Sequence, residues 1–255
     1  MALTQTALTN WVAACMLLAL RIAPVFAFAP PFNMVQLPRL FRVLFGLGLS
    51  ICLVCAFPAA TALSDTSLHG LVTAAARELM LGSIFVLAFQ LAFGALYFAG
   101  RTIDIQAGFG IALLIDPATQ TQTPLAGMLF AYAAGAVFFA FNGHIELLRL
   151  FAASLDAIPL GGWTMPQSIE RLTAFIAIVF TYALGVGGAT ILTLFLVDVT
   201  IAVLSRTVPQ MNVLILGFQV KVIVFLLVLP VSFGIAGALI VHIMATTIQN
   251  LPRLF

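Results

Sequence analysis

Apolar residues recur along this chain in six long runs, at about 11–29, 43–63, 79–100, 125–153, 172–204 and 213–248. Each is long enough to predict a helix in hydrocarbon, since a bilayer core of ~30 Å takes about 20 residues. The breaks between them are chemically distinct. APPFNMVQLPRLFR (29–42) carries three prolines, which end one helix and let another begin. SDTS (64–67) offers oxygen side chains able to cap the helix that follows. LDAIPLGGWTMPQSIER (155–171) is the most loop-like connection, with Ser168 a candidate cap and Glu170 in a first helical turn. SRTVPQMN (205–212) is a short polar turn. Runs five and six exceed the length a bilayer needs, so they must tilt, break or leave it. GRTIDIQAGFGIALLIDPATQTQTP (100–124) stands apart, with three glycines, three charges and a threonine–glutamine tract between two apolar runs.

Composition makes this an integral membrane chain. Hydrophobic residues are 63% and charged residues 7%, against about 25% charged in soluble domains. The fold class expected is all-α, a membrane protein of about six hydrophobic helices. A net charge of +2 does not suggest nucleic acid as a partner. The first run lacks a charged leader region and is read as a retained helix. Cys52 and Cys55 form a C-x-x-C within apolar sequence, where packing residues are expected rather than a metal or redox pair. Trp11 and Trp163 suit interfacial anchors, and the small residues of ALGVGGAT (183–190) and GIAGAL (234–239) suit close helix contacts. Arginine counts on the two sides lean weakly towards both termini lying outside the cytoplasm. His69, His144 and His242 are far apart, and H-E-x-x-H, Gly-x-Ser-x-Gly and Walker patterns are absent. No enzyme, metal or cofactor is expected.

Charges within apolar runs are candidate functional positions, because each costs a few kcal/mol at bilayer depth. Arg21 lies deep in run one and is expected to pair with an acid on a neighbouring helix or subunit, with a proton or ion relay as the alternative. Glu78 and Lys221 lie near run ends, where snorkelling to the interface competes with a functional role; Asp198 lies late in run five. Arg101 and Asp104, like Glu146 and Arg149, are three apart and share a helix face. One architecture consistent with these charges is a stand-alone transporter using Arg21, Asp198 and Lys221. Such a fold is expected to show repeats with matching interrupted helices, and the 100–124 segment has no twin in the second half.

GRTIDIQAGFGIALLIDP (100–117), FNGH (141–144), RTVPQMNVLILGF (206–218), Arg21, and Glu78 followed by Gly82, in this order and spacing, resemble the FliR family of flagellar type III export-gate proteins. The resemblance implies a structural, channel-forming role at the flagellar basal body in the bacterial inner membrane. The partners it implies are FliP-type and FliQ-type chains, an FlhB-type protein at the cytoplasmic entrance, unfolded flagellar subunits as cargo, and membrane lipid. It implies bent helical hairpins in a hetero-oligomeric helical assembly, much of it raised towards the periplasm. Residues 1–160 would form a FliP-like unit and 161–255 a FliQ-like long hairpin. It implies a channel plug at 106–124, with Gln106, Gly108, Phe109, Gly110, Ile111, Leu113, Leu114, Ile115, Asp116 and Pro117 as its residues. Glycines loosen that backbone, and Asp116-Pro117 disfavours helix. It also places Arg206, Pro209, Gln210 and Asn212 at a cytoplasmic hairpin turn, and Arg21, Glu78, Arg101, Asp104, Asp198 and Lys221 in assembly or charge pairing. The PQMN and FNGH forms look more like the flagellar branch than the related virulence injectisome branch.

Overall fold

The computed structural model describes residues 2–35, 37–63, 65–109, 124–164, 170–207 and 213–254. Among these residues the chain is helical, with α1 (Ala2–Phe28), a 3-10 turn (Phe32–Met34), α2 (Arg39–Ala56), α3 (Leu68–Gln106), α4 (Leu125–Ala140), α5 (Gly143–Ala157), α6 (Glu170–Thr207) and α7 (Val213–Leu254). Four helices are long and apolar enough to cross a membrane, or five if the bent α4–α5 pair counts as one span.

Among the described residues the six runs give seven α-helices, because the fourth run is broken. Asn142 takes a left-handed conformation at φ 57°, which asparagine tolerates better than most residues. The helices on either side diverge by 69°. A Cβ on Gly143 would meet the Phe138 ring at 2.5 Å, so this site admits only glycine without rearrangement. The FNGH motif is therefore a corner. The second run is shorter than its hydropathy suggests, its apolar helix covering Leu40–Ala56.

Local chemistry sets the other ends. Ser67 caps α3: its hydroxyl accepts from the Gly70 N–H at 3.0 Å, and its own N–H donates to Asp65 Oδ1 at 2.8 Å. The Ser67 N–H and hydroxyl, both donating to Asp65, hold its carboxyl below the usual carboxylate range. After α1, the Asn33 and Gln90 side-chain amides both donate to the Phe28 carbonyl at 2.8 Å. In the proline-rich elbow Arg42 donates to the carbonyls of Val35 and Ala27 at 2.7 and 3.3 Å. Glu170 opens α6 and Arg206 closes it, each the charge its helix end favours.

The described chain forms two compact units, each discontinuous in sequence. One comprises residues 1–91, 138–175 and 247–255; the other comprises 92–137 and 176–246. The first is packed with phenylalanine: Phe26 meets Phe32 and Phe45 at 4.8 and 5.0 Å, and Phe85 meets Phe151 at 5.1 Å. In lipid such rings contribute mainly through dispersion and edge-to-face geometry, because leaving hydrocarbon for protein yields little hydrophobic gain. Trp163 is buried at 4% exposure, a core residue rather than an interfacial anchor. Cys52 and Cys55 face outward, Cys15 is buried, and all three are free thiols.

In the second unit α6 and α7 run antiparallel. Contacts advance along one helix as they recede along the other, from Tyr182 on His242 through Gly185 on Leu239 and Thr190 on Ser232 to Ile201 on Gly217. With 38 and 42 residues, the helices measure roughly 57 and 63 Å at ~1.5 Å per residue. That is about twice a bilayer core. A Cβ on Gly185 or Gly187 would press on Leu239 or Ile103 at 3.1 or 3.3 Å, whereas one on Gly188, Gly234 or Gly237 would meet nothing within 4 Å. The small-residue stripe therefore serves helix packing only in part.

Candidate functional site

The densest polar site lies inside the first unit. Arg21 is fully buried on α1 and Glu78 fully buried on α3. Arg21 Nε donates to Glu78 Oε2 at 2.6 Å and Nη2 to Oε1 at 2.9 Å, a two-bond fork. Nη1 donates to the Ser154 carbonyl and hydroxyl at 3.2 and 3.1 Å, and Nη2 also reaches the Ile158 carbonyl at 3.2 Å. All five guanidinium hydrogens have acceptors.

Glu78 is tied to the loop after α5 as well, accepting from the Gly161 N–H at 2.8 Å. Arg77 donates to the Gly161 carbonyl at 2.8 Å from the neighbouring position. Gly161 has φ +74° and packs on Ala74, which glycine allows without strain. The approach of α1 to α3 depends on Gly82, where a Cβ would stand 2.6 Å from the Arg21 carbonyl and 2.8 Å from that of Leu20. Pro24 has no N–H to offer Leu20, so that carbonyl is open to the neighbouring helix. Three helices and a loop thus meet on one ion pair.

Glu78 is in this way a buried partner of Arg21 and does not snorkel to an interface. The sequence contained the acid but no signal for its partner's identity. Ser154, Ile158 and Gly161 were missed, although a serine in apolar FAASL and the paired glycines of PLGGW were weak signals.

Asp198 and Lys221 form a second ion pair between α6 and α7, with 42% and 21% side-chain exposure. Glu146 and Arg149 pair at 2.7 Å on an exposed face of α5. Asp104 is 5% exposed, and its Oδ1 accepts from the Ala126 N–H at 3.2 Å.

Of the expected plug residues, three are described. Gln106 ends α3 with its side-chain oxygen buried and without a hydrogen bond. Gly108 has φ +90° beside the Phe218 ring, and Phe109 packs edge-on against buried Phe225 at 5.2 Å. Gly110, Ile111, Leu113, Leu114, Ile115, Asp116 and Pro117 lie outside the described residues, as do Pro209, Gln210 and Asn212 of the hairpin turn. Arg206 is exposed in the last turn of α6. Among the described residues no three His, Cys, Asp or Glu side chains gather as a metal ion would require.

Long apolar helices locked by a buried, fully satisfied charge hub define a polytopic membrane protein. Residues 12–247 match the model of the bacterial export proteins, family 1. The chain belongs to that family, as its FliR-like motifs imply. It is 28% identical over 246 residues to the flagellar biosynthetic protein FliR of Bacillus subtilis (strain 168), covering 94% of each chain. Against FliR of Escherichia coli (strain K12) it is 24% identical over 208 residues, covering 80% of this chain and 78% of the relative. The Yop proteins translocation protein T of Yersinia pestis is 26% identical over 149 residues, 57% of each chain.

Proposed function

We propose that this chain is a structural, channel-forming component of the flagellar type III protein export gate. On this reading it assembles with FliP- and FliQ-type chains, meets an FlhB-type protein at the cytoplasmic entrance, and passes unfolded flagellar subunits across the inner membrane. Residues 1–160 act as the FliP-like part and 161–255 as the FliQ-like hairpin, with 106–124 plugging the closed channel. The assembled gate sits at the basal body, raised towards the periplasm. The observation that carries the reading is similarity to a flagellar FliR protein over 94% of both chains. The antiparallel α6–α7 pair supports the hairpin. The flagellar branch is preferred to the injectisome because the Bacillus subtilis flagellar relative matches 94% of this chain, against 57% for the Yersinia pestis protein and 79% for the surface presentation of antigens protein SpaR of Shigella flexneri.

A solute transporter built on Arg21 is disfavoured physically. Its guanidinium has no donor left to offer a solute.

The test removes Gly108–Ile115 from the chain within a co-expressed gate and measures ion flux across the membrane. An assembled deletion gate should leak small ions. Ion tightness equal to wild type, in gates that assemble normally, would sink the plug. A photo-crosslinker or cysteine at Phe109 should also capture a stalled export substrate.

A further inference from the structure

We infer that Asp104 is a positioning residue: its carboxylate ties the end of α3 to the start of α4 and so sets the separation of the two ends of the proposed plug. The inference rests on the plug reading above and adds what holds that segment's anchors together.

Ala126 is the second residue of α4, so its N–H is among the four at a helix start with no acceptor inside the helix. The first turn of α4 carries no acid of its own. Asp104, reaching across from α3, supplies the missing acceptor and places negative charge at the positive end of the α4 dipole. The α3 helix thereby caps another helix.

Sterics bring the two backbones to the distance that this bond requires. Gly100 on α3 and Gly127 on α4 touch backbone to backbone, leaving no room for a Cβ on Gly100. On Gly127 a Cβ would stand 3.1 Å from the Tyr97 carbonyl. Ile103, Ala107 and Ala126 around the crossing are all fully buried. One step on, Gly108 turns through its positive φ and Phe109 seats on Phe225.

The second carboxylate oxygen shows why packing alone is an incomplete account. Asp104 Oδ2 is buried and makes no hydrogen bond. A carboxylate kept at this depth with one oxygen unsatisfied is costly.

The experiment compares Asp104→Ala, Asp104→Asn and the Gly108–Ile115 deletion in co-expressed, purified gates, scoring assembly and ion leak separately. Asp104→Ala should assemble in normal amounts yet leak about tenfold more than wild type, the population shift that losing one hydrogen bond to a charged group produces. Asp104→Asn, whose amide oxygen still accepts the Ala126 N–H, should recover most of the tightness. Should Asp104→Ala fail to assemble, Asp104→Ser takes its place, since its hydroxyl is too short to bridge the gap. If the deletion leaks while Asp104→Ala and Asp104→Ser stay tight, the positioning role is overturned and the plug stands. If all of them stay tight, the plug reading falls and this inference falls with it.

Discussion

Arg21 shows how a single charge organises an apolar protein. Breaking a buried pair leaves the partner ionised without compensation and typically costs about 3–5 kcal/mol. Arg21→Ala is therefore expected to lower the thermal stability and assembly yield of the gate, with little change in flux through those gates that form. Size-exclusion yield and thermal melting report the first effect, and flux per assembled gate the second. Normal assembly with altered flux would reverse this assignment. Glu78→Gln keeps the shape and an oxygen acceptor for Gly161 but leaves the Arg21 charge uncompensated and turns an amide NH2 toward one of its donors, so it should destabilise about as much as Arg21→Ala. At this scale the sequence shows that an arginine amid LLAL and IAPVF needs an acid, because hydrocarbon offers no other partner. It does not identify which acid, because Glu78 is 57 positions away and the path between them is set by helix packing. The main-chain acceptors at Ser154 and Ile158 were illegible for a deeper reason: every residue has a carbonyl, and only the fold selects two.

At the scale of elements, hydropathy located the helices well and their interruptions poorly. The 125–153 run reads as one apolar stretch, because neither Asn142 nor Gly143 lowers its hydropathy enough to mark a break. The corner comes from backbone conformation, which a hydropathy profile does not register. Asn142→Gly should be nearly neutral, whereas Asn142→Val should destabilise by about 1–3 kcal/mol through a β-branched residue in a left-handed conformation. Thermal melts of the assembled gate check the pair, and equal effects would mean the corner is not strained by a side chain. The two over-long runs were legible as too long to be simple spans, and they form a long antiparallel pair. Their polar ties, Thr190 with Ser232 and Asp198 with Lys221, could not be paired from sequence until the helix register was known.

On the scale of the whole molecule, apolar side chains face outward on every long helix. Leu192, Phe195, Leu196, Val199 and Val203 recur along one side of α6, each at least 46% exposed. A chain of this kind needs lipid, detergent or partner subunits over that surface. On the export-gate reading, co-expression with FliP- and FliQ-type chains should raise the recovered, monodisperse amount several-fold over the chain alone. A lone chain that is equally monodisperse and moves a solute would favour the transporter instead. Composition could announce a membrane protein, but not which apolar faces meet lipid and which meet protein, since both environments reward the same residues.

The buried hub also bears on how the chain is made. Arg21 is in α1, whereas its acceptors arrive only later in the chain, at positions 78, 154 and 158. During synthesis that helix must enter the membrane with its charge uncompensated, at roughly 2.5–3.5 kcal/mol on insertion scales. Relief is first available when Glu78 follows, and it is complete only when more than half the polypeptide has been translated. Helix α1 should therefore linger beside the insertion machinery, and a ribosome stalled before position 154 would hold it there.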